Sequence, residues 1–107
     1  MDKTLKYQAA IKTVIQSYIE YYYKESPLRI QTIFDDNNGH YILIHLGWQD
    51  DQWTYGIPLH LDIIADKIWI QRNQTEVELE EELLELGVLE EDMIIGFYTT
   101  DMAKVQC

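Results

Sequence analysis

From Asp2 to about Lys24 the apolar positions Tyr7, Ala10, Ile11, Val14, Ile15, Tyr18 and Tyr22 recur at steps of three and four. That spacing draws one stripe along an α-helix, while Lys6, Lys12, Gln16, Glu20 and Lys24 fall largely on the other side. A helix of this kind is suited to lie on a sheet. Ser26 and Pro27 are expected to end it, because proline biases the residue before it away from helical backbone. Tyr21, Tyr22 and Tyr23 cannot all face inward, so at least one ring is expected at the surface.

The period then changes to two. Residues 28–35 form a strand candidate, DDNNG at 35–39 a turn, and 41–48 a second strand. Residues 49–52 make a compact polar loop, 53–64 a third strand, Ala65 and Asp66 a two-residue connection, and 67–71 a fourth strand. Closing these loops tightly sets Trp48 opposite Trp53, Ile44 opposite Ile57 and Ile42 opposite Leu59. Alternation then assigns Ile42, Ile44, Leu46, Ile57, Leu59, Leu61, Ile63, Ile68 and Ile70 to the core face. Tyr41, Leu43, His45, Pro58, His60, Asp62, Trp69 and Gln71 take the opposite face. This mixed face carries less charge than a solvated one, so part of it is expected to be covered by something else.

Thr75 with Glu78 reads as a capping box for a second helix, Val77, Leu79, Leu83, Leu84 and Leu86 as its apolar stripe, and Gly87 as its left-handed stop. Residues 89–92 suggest a short helical turn and 93–98 a last strand or extended segment, with a poorly ordered tail from Thr99. The expected fold class is α+β: a largely antiparallel sheet of about four to five strands, an N-terminal helix and an acidic C-terminal helix, in one domain over 1–107.

Composition sharpens this picture. With 47 % hydrophobic and 12 % aromatic residues, the 107-residue chain has the means to build a core. No apolar run approaches the ~20 residues of a membrane span, and the start MDKTLKYQ lacks a signal-peptide core, so a cytoplasmic protein is expected. The formal net charge of −11 repels a phosphate backbone and disfavours direct DNA binding. Between Arg72 and Lys104 there is no Lys or Arg, and an acidic C-terminal half suits a basic protein partner. One cysteine, Cys107, leaves no disulfide and no CxxC metal framework.

Candidate chemistry is sparse. His45, His60 and Asp62 share the mixed face in this register, and two imidazoles with a carboxylate are metal donors. His45 falls opposite Gly56, however, diagonally displaced from His60, so these side chains read as hydrogen-bonded sheet residues and no metal is assigned. His40 lies beside a turn and receives no role. The acidic run from Glu76 to Asp92 contains no base to act on water, so it reads as a solvated helix face able to dock a basic partner rather than as a nuclease centre. The glycines are dispersed singly, without a phosphate-binding loop. No catalytic residue and no cofactor is assigned. Trp69 stays on the mixed face while Ile68 and Ile70 take the core, and the partner-binding surface is read as His45, Trp48, Gln49, Asp50, His60, Asp62, Trp69 and Gln71.

The stretches HLGWQD, GIPLHLDI, KIWIQ and ELGVLEEDMIIGF resemble the XisI family of cyanobacterial fdxN element excision controlling factors. The family landmarks correspond here to Trp48, His60, Asp62 and residues 67–71, with one departure at Leu89, where relatives often have proline. The resemblance implies an accessory factor in excision of a DNA element during heterocyst differentiation, not the recombinase. It further implies a protein partner of the XisH-like type, with a site-specific recombinase complex or a homo-oligomer as other assemblies. Two alternatives remain at this point: a metal-dependent nuclease subunit, and an antitoxin-like regulatory partner of a nuclease-like protein.

Overall fold

In the computed structural model, which describes residues 3–96, helix α1 (Lys3–Tyr22) buries Tyr7, Ala10, Ile11, Val14 and Ile15, the stripe its spacing predicts. It stops four residues before Ser26, in a turn where Tyr23 N–H donates to Ile19 O at 3.0 Å and Ser26 N–H to Tyr23 O at 3.2 Å. Five strands follow: β1 (Arg29–Asp35), β2 (His40–Gln49), β3 (Gln52–Ile64), β4 (Lys67–Asn73) and β5 (Met93–Ile95). They stand in sequence order in one sheet, antiparallel except for β5, which runs parallel to β4. Between β4 and β5 lie α2 (Leu79–Glu85) and a 3-10 turn, Glu90–Asp92. The α+β class expected from sequence is therefore observed. No helix among the described residues is long and apolar enough to cross a membrane. The tail from Thr99 and Cys107 lie outside the described residues.

The two tight hairpins use left-handed backbone at Asp50 and Asp51 (φ 52° and 64°) and at Ala65 and Asp66 (52° and 64°). Paired positive φ values match the twist of the flanking strands. The β2–β3 hairpin then pairs as predicted near its tip, with Trp48 opposite Trp53 and His45 opposite Gly56. Beyond this point the expected register fails. Leu43 lies opposite Leu59, Ile42 opposite His60 and Tyr41 opposite Leu61, because β3 carries one extra residue: Ile57 and Pro58 together span the place opposite Ile44. Proline has no N–H to offer the ladder, so a strand that contains one accommodates it in such a bulge.

A one-residue slip reverses which face each side chain of β2 shares with its partner. Tyr41 and Leu43 join Leu59, Leu61, Ile68 and Ile70 in the core, all buried to within 1 %. Ile42, Ile44 and Leu46, expected inside, are half-buried on the other face, and Ile57 is half-buried at the bulge. Ile63 is partly buried against the core, as its position opposite Ile68 requires. Pro58, assigned to the mixed face, is buried.

The second helix also begins later than the capping box implies. Asn73 Oδ1, at the end of β4, accepts from Thr75 N–H at 3.0 Å and from its hydroxyl at 2.5 Å, and Thr75 Oγ1 accepts from Val77 N–H at 3.1 Å. With the threonine held in this turn, α2 starts at Leu79, and Glu78 at its N-cap makes no side-chain cap bond. Leu79 and Leu83 enter the core, while Leu84 and Leu86 stay exposed. Gly87 ends the helix at φ 97°, as predicted.

Helix α1 is bound at its N-terminal half to three loops through aspartates. Lys12 Nζ reaches Asp36 Oδ2 at 2.8 Å, and the buried Tyr41 hydroxyl donates to Asp36 Oδ1 at 2.7 Å. Thr4 Oγ1 donates to Asp66 at 2.6 Å. Asp92, expected to be part of a solvated acidic face, is instead 2 % exposed, where Tyr7 donates at 2.6 Å, Lys3 at 2.9 Å and Lys67 at 3.4 Å. The Tyr7 hydroxyl and then the Lys3 ammonium hold its carboxyl well below its ordinary 3.8, at about 2.

Two outcomes are expected. Leu43→Ala should cost about 2–5 kcal/mol in denaturant unfolding, as a buried leucine does, whereas Ile33→Ala, on the open face, should cost less than about 1 kcal/mol; equal losses would contradict the register. Asp92→Asn should lower the melting temperature at neutral pH. Because the folded pKa is depressed, this contribution is complete above the ordinary value of 3.8 and is lost as pH falls through about 2. Melting curves of wild type and variant should therefore converge across that acid window.

Candidate functional site

Both helices pack on one face of the sheet, and the other face has no covering element among the described residues. Its side chains come from the strand positions that alternate with the core: Ile33, His40, Ile42, Ile44, His60, Asp62 and Trp69. Ile33 is 47 % exposed and Ile64 48 %, and at the hairpin end Tyr55 is 63 % exposed. Trp48 and Trp53 pack edge to face at 5.7 Å between ring centres beside the turn. They remain 65 % and 55 % exposed, so the pair braces the hairpin without entering the core.

The centre of this face is polar and ordered. Asp62 lies opposite His40 on β2 and opposite Trp69 on β4. Its Oδ1 is 2.9 Å from His40 Nδ1 and 2.9 Å from His60 Nε2, and its Oδ2 accepts from Gln71 Nε2 at 3.2 Å. Gln71 can reach Asp62 because β4 carries its own extra residue there, between Ile70 and Arg72. Asp62 is only 7 % exposed although no helix covers it, since the neighbouring side chains enclose it. Burial pushes its carboxyl up, but the hydrogen bonds from His40, His60 and Gln71 outweigh that and leave it below the usual aspartate range. The bond to Asp62 in turn raises His40.

Gly39 sets the position of His40. Its φ is +75°, its carbonyl accepts from Ile63 N–H at 2.8 Å, and a Cβ at this site would stand 2.5 Å from Ile63 O. The strand entry is thereby pressed against β3 at a distance that only glycine permits.

The proposed contact residues therefore divide. His60, Asp62, Trp69 and Gln71 share the open face as expected, and Trp48, Gln49 and Asp50 lie exposed at the hairpin tip. His45 does not join them. It sits on the helix side, where the Tyr23 hydroxyl is 2.8 Å from its Nδ1, and burial there lowers its pKa. The unprotonated nitrogen of a neutral imidazole accepts a hydrogen bond from the tyrosine hydroxyl, so His45 ties the turn that follows α1 to β2. His40, given no role from sequence, takes the place beside Asp62. The signal that would have found it is Pro58, whose bulge shifts the pairing by one.

A groove of about 550 Å³ lies between the end of α1 and α2, lined by Tyr18, Tyr21, Tyr22, Glu78, Glu81 and Glu85 among others. Tyr21 is 78 % exposed, which places the outward ring of the tyrosine cluster here.

A family model described as XisI protein matches residues 1–106. The crystal structure of a XisI-like protein from Anabaena variabilis superposes with a TM-score of 0.81 at 32 % identity, covering 90 % of this chain and 88 % of that one. That of the fdxN element excision controlling factor XisI from the same organism gives 0.77 at 28 % identity, covering 94 % and 91 %. No curated protein matches.

Gly39→Ala should destabilise the fold by at least about 1–2 kcal/mol, the cost of a side chain in left-handed backbone, and should separate His40 from Asp62. Thermal melting together with the His40 imidazole pKa by NMR checks this: the pKa should fall toward the ordinary histidine value.

Proposed function

Because the chain belongs to the XisI family, we propose that it is a non-enzymatic accessory factor controlling site-specific excision of a DNA element of the fdxN type, in the setting of heterocyst differentiation, and that it acts by binding a protein. The observation that carries this reading is the sheet face that no element among the described residues covers. Exposed Ile33, Ile64 and Tyr55, with half-buried Ile42, Ile44 and Trp69, make an apolar surface around a polar centre. Such patches are characteristic of protein contacts, and aromatic anchors supply most of their binding energy.

Charge selects the class of partner. A formal −11 opposes duplex DNA and self-association alike, and favours a protein with a basic surface. The XisH-like proteins implied by the family resemblance are the partner to try first.

Co-expression with an XisH-like protein should yield a complex that survives moderate salt. Trp69→Ala should weaken it about 30-fold, the ~2 kcal/mol of an aromatic hot spot, and Lys12→Ala, whose side chain is engaged with Asp36 on the helix side, should leave it within twofold. Failure of the two proteins to co-purify would refute the partner, and equal losses in the two variants would refute the face.

A further inference from the structure

We propose that His40, His60 and Asp62 form a binding site for one divalent metal ion of the zinc class on the open sheet face. The three side chains come from β2 and β3, and one donor atom from each lies within 4.8 Å of the others. His40 Nδ1 and His60 Nε2 both aim at the same carboxylate oxygen, each at 2.9 Å. Two ligands of a tetrahedral zinc ion at ~2.0 Å stand ~3.3 Å apart, so the carboxylate oxygen is within a few tenths of an ångström of that spacing from each nitrogen. Rotation of the half-exposed His40 ring adjusts its separation from His60. In that step the ion takes the place of the hydrogen bonds between the imidazoles and Asp62. Each coordinating nitrogen gives a lone pair to the metal, a neutral ring carries its one proton on its other nitrogen instead, and a ring that was protonated releases one proton to solvent.

The donor set selects the ion. Two imidazoles and one carboxylate suit zinc, cobalt and nickel, whereas magnesium and calcium prefer all-oxygen surroundings. The carboxylate is also prepared for the role. Asp62 is buried and oriented by Gln71 through the oxygen that the histidines do not use. An outer partner of this kind keeps a metal ligand pointed at its ion. His40 is half exposed, so the ion would retain a side open to solvent. Three protein ligands leave one tetrahedral position for water or for a side chain presented by a docked protein.

The site goes beyond the partner-binding reading, and it is measured without any partner, so the two fail separately. The full chain, carrying Cys107→Ser to remove its one thiol and with no affinity tag, is titrated with Zn²⁺ by calorimetry and with Co²⁺ by visible absorption. One ion per chain is expected, with cobalt bands of a low-coordinate nitrogen and oxygen site. His60→Gln and Asp62→Asn should each weaken binding 100-fold or more, Gln71→Ala about 10-fold, and His45→Gln, on the opposite side of the sheet, less than twofold. Mg²⁺ should not compete. His40→Gln guards against loss of fold, since this side chain is half exposed and the variant's melting temperature is readily compared; it too should weaken binding by at least 10-fold. Absence of Zn²⁺ binding at about 100 µM, an affinity unchanged in folded His40→Gln, or an equal loss in His45→Gln would overturn the site.

Discussion

The bulge at Ile57 and Pro58 is the constraint on which the remaining arrangement depends. A proline in an interior strand denies its neighbour one hydrogen bond, and the strand absorbs the defect by adding a residue. The cost is local, yet everything on the far side of it moves by one position. Tyr41 and Leu43 turn inward to meet Leu59 and Leu61, and Ile42 turns outward beside His60. Without the bulge His40 would stand across from Leu61, and Asp62 would lack one of its two imidazoles.

The parts of the fold legible in the sequence were those set by local chemistry. The α1 stripe, the two-residue turn at Ala65 and Asp66 and the Gly87 stop each depend on a few adjacent residues whose preferences point one way. So did the assignment of β4, where Ile68 and Ile70 alternate with Trp69 without interruption. The faces of β2 were not legible from alternation, because Tyr41 through Leu46 is apolar on both sides and either phase would bury leucine or isoleucine. Only Pro58 broke the tie. The candidate site was lost by the same error: two of its three ligands, His60 and Asp62, share one strand and were seen, while His40 depended on pairing across the bulge. Asp92 was misread for another reason. It ends a run of acids that is otherwise solvated, and its partners Tyr7, Lys3 and Lys67 are remote in sequence.

Those partners show how an acidic chain holds a helix to a sheet. Asp36, Asp66 and Asp92 come from three separate loops, and each accepts hydrogen bonds from α1. Apolar burial of Tyr7, Ile11 and Ile15 supplies the attraction but leaves the helix free to slide. The directional bonds remove that freedom, and at the other end the Tyr23 hydroxyl on His45 completes it. Much of the chain's basic charge is committed in this way: Lys3, Lys12 and Lys67 all pair with these aspartates. The glutamates of α2 have no such partners nearby in sequence, which concentrates the unbalanced charge on that side of the molecule.

The open face then differs from an ordinary solvated sheet in one energetic respect. A partner that covers a polar group must strip its water, and an unpaired buried carboxylate costs several kcal/mol. Asp62 is already dehydrated, with its oxygens engaged by His40, His60 and Gln71 before anything docks. The surface around it includes Ile33, Ile42, Ile44 and Trp69, whose covering is favourable in proportion to area, with Arg29, Gln31 and Arg72 on the same face further out. At its centre, where the carboxylate is satisfied internally and apolar side chains surround it, such a face retains little solvation to lose. That is the physical reason for treating it as a contact surface while the helices occupy the opposite one.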